Sequence, residues 1–339
     1  MVSGRHFHFD GDDDPRISIA GAQEKTALLH LDGQWFFPRG ATPTTHILKL
    51  PLGTIAGGRI DFSSSVENEW LCLKLAKACG FNVPKAEIVT FGPYKALVVE
   101  RFDRLILDDR EPGRWIARLP QEDMCQAKGI PPFRKYERDG GPGMAEILDT
   151  LRGSETNILD RASFLGAQMF FWMLAAPDGH AKNFSVFIEP KGLFRATPLY
   201  DVMSAWPIIG HAHDKYDWKK IEMAMAVRSG RDPHHRMAEV LPRHWMQFAE
   251  RHAVTGFSSL AGLIVAGTRA AISEVSRLLP VGFPQSVSDP VFAGLERQAD
   301  VLAPLVPGIS IDSWLTEMPA HSGLAGPNFA KLDLVSTGP

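Results

Sequence analysis

The sequence predicts an α+β fold in two lobes, with a small β-rich N-terminal lobe and a mostly helical C-terminal lobe. Short strand-like stretches separated by Asp-Gly and Gly-Pro turns predominate up to about residue 115. Longer apolar patterns of helical period, broken by Pro and Gly, predominate after it. A chain of 339 residues is also long enough for two lobes. The predicted divisions are a flexible N-terminus at 1–15, an N-lobe at 16–115, a C-lobe at 116–303 and a disordered tail at 304–339.

Composition excludes several classes of protein. The net charge is -3, with 22% charged and 45% hydrophobic residues, which is typical of a globular protein without a general preference for nucleic acid. No apolar run approaches the roughly eighteen residues of a membrane span, so we expect no membrane association. The three cysteines are too few and too scattered for a disulfide framework or a zinc site. They predict buried thiols and a cytoplasmic protein.

The first part of the N-lobe is predicted to form a loop followed by a hairpin. KTALLHL and QWFF flank an Asp-Gly pair, which predicts two strands joined by a tight turn. The preceding SIAGAQEK has small residues that would let its backbone approach a phosphate. It is neither a Walker motif nor G-x-G-x-x-G, so the residues alone give a weak signal. A second hairpin is predicted for AEIVTF and KALVVERFD around Gly92-Pro93.

Lys49 lies in the short strand THILKLP, and a helix is predicted from about Ser65, capped by serine and ended by Gly80. In kinases a strand-borne lysine after the nucleotide loop reaches the ATP phosphates, and the order here is the same. Glu67 or Glu69 would then pair with Lys49. The alternatives are an ordinary surface lysine and first-turn acids that only complement the helix dipole.

Residues 174–207 have the order of parts that phosphoryl transfer needs. Asp178 follows an apolar helical run at 164–176, and Asn183 comes five residues later. A hairpin formed by FSVFI and LFRAT would then return Asp201 beside Asn183. One carboxylate would orient an attacking hydroxyl, while the amide and the second carboxylate would hold magnesium. The alternative for Asp178 is an ordinary Asp-Gly turn.

The rest of the C-lobe is predicted to be helical. The polar cluster at 121–123 either caps a short helix or lies at the floor of a cleft. Residues 215–300 read as helices broken by Pro and Gly. A basic patch at 215–243, with interleaved rings that include His235 and Trp245, either contacts nucleic acid or acidic protein, or is a solvated helical face.

Seven stretches, in this order, resemble the HipA family of serine/threonine-protein kinase toxins. They are RISIAGAQEKTALL, TPTTHILKLP, VERFDR, RLPQEDMCQ, KYERDGGPG, DGHAKNFSVF and PLYDVMSAWP. The resemblance implies a two-lobed fold related to protein and phosphoinositide kinases that uses ATP and Mg²⁺. It also implies a small DNA-binding HipB-like antitoxin, contact with DNA only through that antitoxin, and a protein substrate of the aminoacyl-tRNA synthetase class, typically glutamyl-tRNA synthetase.

The resemblance assigns roles position by position. Asp178 matches the catalytic aspartate, and Asn183 and Asp201 match the metal ligands. Ser18 matches an autophosphorylated serine, whose phosphate would place negative charge beside the nucleotide loop and repel ATP. The nucleotide-binding matches are Ala20, Gly21, Ala22, Gln23, Glu24, Lys25, Lys49, Glu100, Arg101, Phe102, Gln121, His180, Ala181, Lys182, Asn183, Tyr200 and Asp201.

Two departures from the family pattern leave alternatives open. Family members usually carry a further small β subdomain before the Ser18 loop, whereas this sequence starts almost at the loop. Pro177 stands where the family usually has a small or polar residue; it suits the end of a helix but restricts Ala176. The alternatives to an active protein kinase are a catalytically silent remnant that binds nucleotide or antitoxin, and a kinase for a small molecule.

Overall fold

The computed structural model describes residues 23–107 and 114–305. The predictions for the N-terminus at 1–15 and for nearly all of the tail at 304–339 therefore fall outside the described residues. Within those residues no helix is both long and apolar enough to cross a membrane. The predicted lobe boundary at 115 falls on the first residue of a strand. It stays a prediction.

The N-terminal part is built on a five-stranded antiparallel sheet in the order β2-β1-β3-β7-β6. Both predicted hairpins are present in it. At the first turn Asp32 and Gly33 have positive φ, which is the backbone of a tight turn that matches strand twist. The elements of this part are β1 Lys25–Leu31, β2 Gln34–Phe36, β3 His46–Lys49, β4 Thr54–Ile55, β5 Ile60–Asp61, α1 Ser65–Ala78, β6 Ala86–Phe91, β7 Tyr94–Glu100, β8 Arg104–Leu107 and β9 Trp115–Arg118.

Helix α1 joins the sheet to the rest of the protein. It contacts β6 and β7 on one side and two C-terminal helices on the other, so it is buried almost all round. The helix starts at Ser65 as predicted, but Ser64 at the cap position makes no side-chain capping bond. The hydroxyl of Ser65 instead accepts from the backbone N–H of Leu52 at 2.9 Å. Gly80 follows the helix with a φ of 93°, which explains the stop.

The C-terminal part is mostly helical. A three-stranded sheet in the order β10-β11-β12 includes the predicted hairpin of FSVFI and LFRAT. Helix α4 carries the apolar run before Asp178 and is buried along most of its length. The elements are β10 Gln121–Asp123, α2 Met124–Ala127, α3 Met144–Leu151, α4 Asn157–Met173, β11 Ser185–Ile188, β12 Phe194–Ala196, β13 Glu222–Ser229, β14 Asp232–Arg236, α5 Pro242–Arg251, α6 Phe257–Ser276 and α7 Gln285–Leu302.

The interpretation of residues 215–300 as helical is wrong for their first part, where β13 and β14 form an antiparallel hairpin. The first six residues of β13 are all buried, so the strand shows no alternation, and its Met and Ala residues favour helix when read locally. The basic patch is therefore not a solvated helical face. Two of its rings, those of His235 and Trp245, are buried.

One hydrophobic core runs through both parts of the described chain, from Ile60 to Leu302. Within it, Asn68 of α1 clamps the segment that follows Asp201. Its side-chain amide donates to the carbonyl of Ser204, and its oxygen accepts from the Ser204 N–H, both at 2.8 Å. The Ser204 hydroxyl donates to the Leu174 carbonyl at 2.6 Å. The segment is thus held by α1 and by the end of α4, which fixes where Asp201 stands.

Substituting Asn68→Ala should lower the free energy of unfolding by about 2–4 kcal/mol, because it leaves a buried N–H and a buried C=O of Ser204 without their partners. Chemical denaturation measures this. The exposed Asn82 supplies the control, since Asn82→Ala should change stability by less than about 0.5 kcal/mol. Equal losses in the two variants would contradict the clamp.

Candidate active site

A buried lysine connects the sheet, α1 and the segment around Asp201. Lys49, the last residue of β3, donates from Nζ to Glu69 and to Asp201 Oδ1, the latter at 2.8 Å. The predicted pairing of Lys49 with an acid of the helix is confirmed, and the partner is Glu69. Glu67 pairs instead with Lys95 of β7. Three elements far apart in sequence therefore meet at one ammonium group.

These three charges shift one another strongly, because they are shielded from water. Burial works to lower the pKa of Lys49, but Glu69 and Asp201 raise it above its usual value. Burial raises the pKa of Glu69 in spite of Lys49. It works in the same direction on Asp201, yet Lys49 and Lys25 hold the pKa of Asp201 at about 2. Asp201 is therefore ionised throughout the neutral range.

The backbone at Asp201 is unusual in a way that serves the contact. Its φ is 59°, in the left-handed region that few residues except Gly, Asn and Asp adopt. The sharp turn is followed by the Ser204 segment, which Asn68 clamps. On the other side of the carboxylate, Lys25 Nζ lies 3.9 Å from Asp201 Oδ2. Two lysines on neighbouring strands thus face one aspartate.

The turn between α4 and β11 carries the other predicted site residues. The backbone carbonyl of Asp178 accepts from the Asn183 amide at 2.7 Å and from the His180 N–H at 2.8 Å, so the D-x-x-x-x-N interval closes into a compact loop. Asp178 Oδ1 accepts from the Tyr136 hydroxyl at 2.6 Å. The ring of His180 is buried, and burial together with Lys135 lowers its pKa to about 3. Its imidazole is therefore neutral at physiological pH.

Tyr200, just before Asp201, braces this loop from the opposite side. Its hydroxyl donates to the Lys182 carbonyl at 2.8 Å and accepts from the Ser185 hydroxyl at 2.6 Å. Its ring centroid lies 5.6 Å from that of Phe102, and burial raises the pKa of the phenol. Phe102 also makes an edge contact with Phe187. These aromatic contacts therefore connect the segment that follows β7, which carries Phe102, to the C-terminal sheet.

The polar cluster at 121–123 caps a short helix, which is one of its two predicted alternatives, and its place at the floor of a cleft stays a prediction. Asp123 caps α2 in a capping box with Gln126. It also meets Lys182 Nζ at 2.5 Å, so it contacts the loop that carries Asp178. Gln121 lies opposite Phe187 in the β10–β11 ladder. Its side-chain oxygen is buried and has no hydrogen-bond partner among the described residues.

The other predicted residues fall into four groups. Gln23 and Glu24 tie the start of β1 to Leu50, through the Gln23 side chain at 2.8 Å and the Glu24 carbonyl at 3.1 Å. The side chains of Glu100 and Arg101 do not join the charged cluster, since they pair with Lys85 and Asp103. Ala181 is fully buried within the loop. Outside the described residues lie Ser18, Ala20, Gly21 and Ala22.

The donor set fits a magnesium ion that is shared with phosphates. Because the amide nitrogen of Asn183 donates to the Asp178 carbonyl, its amide oxygen points away from that carbonyl. Asp201 supplies an ionised carboxylate. One or two protein oxygens completed by phosphate and water are what Mg²⁺ usually has at nucleotide sites. Across 23–107 and 114–305 no group of three or more His, Cys, Asp and Glu side chains is placed to hold a metal by itself.

Sequence patterns did not indicate two residues that contribute to the site, Tyr136 and Asn68. Tyr136 falls in the stretch KYERDGGPG, but nothing in its local sequence indicates that its hydroxyl reaches Asp178. Asn68 is one polar residue inside a helix, and its partner Ser204 is 136 residues away. Propensity and periodicity do not identify such residues. An alignment of relatives in which each position keeps one residue type would identify them.

Comparison with known proteins identifies relatives. The HipA-like C-terminal domain profile matches residues 17–278. Putative kinase Y4mE of Sinorhizobium fredii is 34% identical over 247 residues, which are 72% of this chain and 53% of the relative. The serine/threonine-protein kinase toxin HipA of Shewanella oneidensis is 33% identical over 235 residues, 66% of this chain and 49% of the relative. The chain thus spans about half the length of these curated relatives.

Two solved structures share the architecture. HipA of Shewanella oneidensis, in a complex with HipB and operator DNA, matches with a TM-score of 0.70 and 26% identity over 88% of this chain and 68% of that chain. The Helicobacter pylori proinflammatory kinase CtkA matches with a TM-score of 0.52 over 82% of this chain and 91% of that chain, and at 7% identity it shows the fold alone. The predicted two-lobed, kinase-like α+β fold class is confirmed.

Substituting Lys49→Met should destabilise the protein by about 3–5 kcal/mol, because the buried carboxylate of Glu69 and the largely buried one of Asp201 lose the cation between them. Glu69, whose pKa is already raised from 4.5, would then be stabilised by holding a proton. A pKa raised by folding gives stability that is present at low pH and is lost as pH rises. Denaturant unfolding from pH ~5 to ~8 should therefore show a decline in stability with pH that is steeper than in wild type.

Lys74→Met is the matched control, because the carboxylate that Lys74 pairs with, that of Glu87, is exposed. Its stability should fall by less than about 1 kcal/mol, with the pH dependence of wild type. If the two lysine variants gave the same pH dependence, Lys49 would not be the counterion of Glu69 and Asp201.

Proposed function

Because this chain belongs to the family of HipA-like C-terminal domains, we propose that it is a serine/threonine-protein kinase that transfers the γ-phosphate of ATP to a protein. The observation that carries the proposal is the Lys49 contact with both Glu69 and Asp201. A strand lysine paired with a helix glutamate and placed against a metal-binding aspartate is the arrangement by which kinases hold the ATP phosphates. Relatives named as kinases support the same activity.

The remaining roles follow from where each group stands. Asp178 would accept a hydrogen bond from the substrate hydroxyl and orient it, while Lys49 and Lys25 would meet phosphate oxygens. Neutral His180 adds no positive charge beside Asp178, which stays the base of the site. Asn183 and Asp201 would hold the metal, and bound magnesium would neutralise charge on the phosphates. The catalytic effect would be positioning and electrostatic stabilisation.

ATP would enter between the two parts of the fold. The stretch Glu100–Phe102 begins at the end of β7, and Gln121 begins β10. The predicted nucleotide loop at Ala20–Lys25, whose first three residues lie outside the described ones, ends in sequence on the first residue of β1. We propose that Phe102 and Tyr200 form one wall of the adenine site, and that the buried amide oxygen of Gln121 accepts a hydrogen bond there. An unmatched buried acceptor is costly unless a ligand satisfies it.

The finer proposals rest on the relatives. The Shewanella oneidensis relative is named a toxin, and its structure contains HipB and operator DNA. We propose that this chain likewise binds a HipB-like helix-turn-helix antitoxin, reaches DNA only through it, and phosphorylates a substrate of the aminoacyl-tRNA synthetase class. Autophosphorylation at Ser18 would then switch the kinase off by repelling ATP from the adjoining loop.

The test is phosphate transfer from radiolabelled ATP to the protein itself and to a panel of purified bacterial aminoacyl-tRNA synthetases. Asp178→Asn should keep the fold and lower the rate by at least about a hundredfold, because it removes the group that orients and accepts the proton. Asp149→Asn is the control, since Asp149 pairs with Arg152 on the surface. Labelling by Asp178→Asn at the wild-type rate would contradict the proposed role.

Asp201→Asn should raise the magnesium concentration needed for half-maximal activity, because an anionic oxygen becomes a neutral amide. A magnesium titration of labelling, with Asp149→Asn beside it, measures the shift. Binding of ATP without any labelling by the wild-type protein would instead support the silent remnant. Label found only on added small metabolites would support the small-molecule kinase.

A further inference from the structure

We infer that Tyr136 is a positioning residue for Asp178, and that the loop at 131–143 exists to place it. The inference rests on the proposed kinase activity and assigns a task to a stretch that the proposed mechanism leaves unused. Asp178 is anchored in two different ways. Its backbone is fixed inside its own loop, by His180 and Asn183. Its carboxylate is held by a hydroxyl from a separate segment, 42 residues earlier in the chain.

The ring of Tyr136 is itself held on two sides. The ring of His180 meets it edge-on, with centroids 5.1 Å apart and planes at 77°. Lys135 Nζ lies 5.0 Å from the ring centroid. The carbonyl of Lys135 accepts from the N–H of Ala181 at 3.3 Å, so the backbones of the two loops are joined as well. Tyr136 therefore approaches Asp178 from a fixed direction.

The loop that carries Tyr136 is docked by Glu137 onto β13. The Glu137 carboxylate accepts from the Ala226 N–H at 2.6 Å and pairs with Arg228. This contact ties the loop that carries Tyr136 to a buried part of β13. The neighbouring Arg138 pairs with Glu222 at the other end of the same strand.

Two glycines let the loop turn tightly enough for Tyr136 to reach Asp178. The N–H of Gly141 donates to the Tyr136 carbonyl at 2.9 Å, and a Cβ at Gly141 would lie 2.1 Å from the Arg134 carbonyl oxygen. A Cβ at Gly143 would lie 2.8 Å from the Glu137 side chain. A side chain at Gly141 would push the loop backbone apart, and one at Gly143 would displace the Glu137 carboxylate. The stretch KYERDGGPG thus supplies the hydroxyl, its anchor and the glycines that close the turn.

The Tyr136 contact matters for catalysis because it sets the side-chain rotamer of Asp178. Oδ1 of Asp178 is occupied by the tyrosine hydroxyl, so the orientation of the whole carboxylate is set before a substrate arrives. A reacting group misplaced by ~1 Å can lose about a hundredfold in rate, so fixing it beforehand is a direct gain. A tyrosine that only satisfies its own hydroxyl would contribute to stability and leave the chemical step unchanged.

Tyr136→Phe tests this with one oxygen atom removed. We expect kcat for labelling to fall about ten- to a hundredfold, the worth of a hydrogen bond to a charged group, with KM for ATP unchanged. Tyr94→Phe is the matched control, because Tyr94 is an exposed tyrosine at the start of β7, and it should leave kcat and KM as in wild type. An unchanged kcat in Tyr136→Phe, or a rise in KM for ATP that accounts for the loss, would overturn the inference.

A second measurement does not depend on kinase activity. Melting temperatures are compared for wild type, Tyr136→Phe, Asp178→Ala and the double variant. If the hydroxyl and the carboxylate interact, the loss in the double variant is smaller than the sum of the single losses. Additive losses would overturn the inference even in an active kinase. If the stability losses are coupled but the protein transfers no phosphate, the catalytic role is wrong together with the proposed function, while the contact itself stands.

Discussion

The contact of Lys49 with the carboxylates of Glu69 and Asp201 is the constraint on which the rest of the site depends. A charge that is shielded from water is costly unless it is paired, so none of the three groups is stable there alone. Lys49 arrives on a sheet strand, Glu69 on α1, and Asp201 on a segment 152 residues away from Lys49. Because each needs the others, sheet, helix and segment have to dock together. The geometry of the site follows from that joint docking.

Helix α1 transmits this constraint, and three consecutive residues show how. Successive helical residues point about 100° apart, so Glu67, Asn68 and Glu69 face three different directions. They meet, in turn, Lys95 of the sheet, the Ser204 backbone and Lys49. The helix is buried almost all round, so each polar residue on it must find a partner in whichever element it faces. Its polar residues therefore set the orientation that its apolar residues leave free.

Local sequence predicted those features that local physics decides. Turn chemistry and periodicity act over a few residues. They therefore predicted the Asp32-Gly33 turn, the start of α1 at Ser65 and the hairpin before Asp201. Strand β13 was not readable, since burial of its first six residues removes the alternation that marks a strand. Whether Glu67 or Glu69 meets Lys49 depends on how the helix rolls against its neighbours. The roles assigned to individual site residues came from resemblance to a family and not from spacing.

The lysine cluster is better explained by a ligand than by stability. Buried ion pairs can often be replaced by apolar residues of similar volume without loss of stability, so their presence alone indicates little about the fold. Here the pair is unequal: one acid has a raised pKa, while Asp201 stays ionised with a pKa of about 2 and a φ of 59°. Lys25 adds a second, partly exposed cation 3.9 Å from the same carboxylate. On the proposed function, a strained, ionised aspartate between two lysines would be suited to exchanging partners when ATP and its metal bind. Lys49 would then keep Glu69 and turn its remaining donors to phosphate.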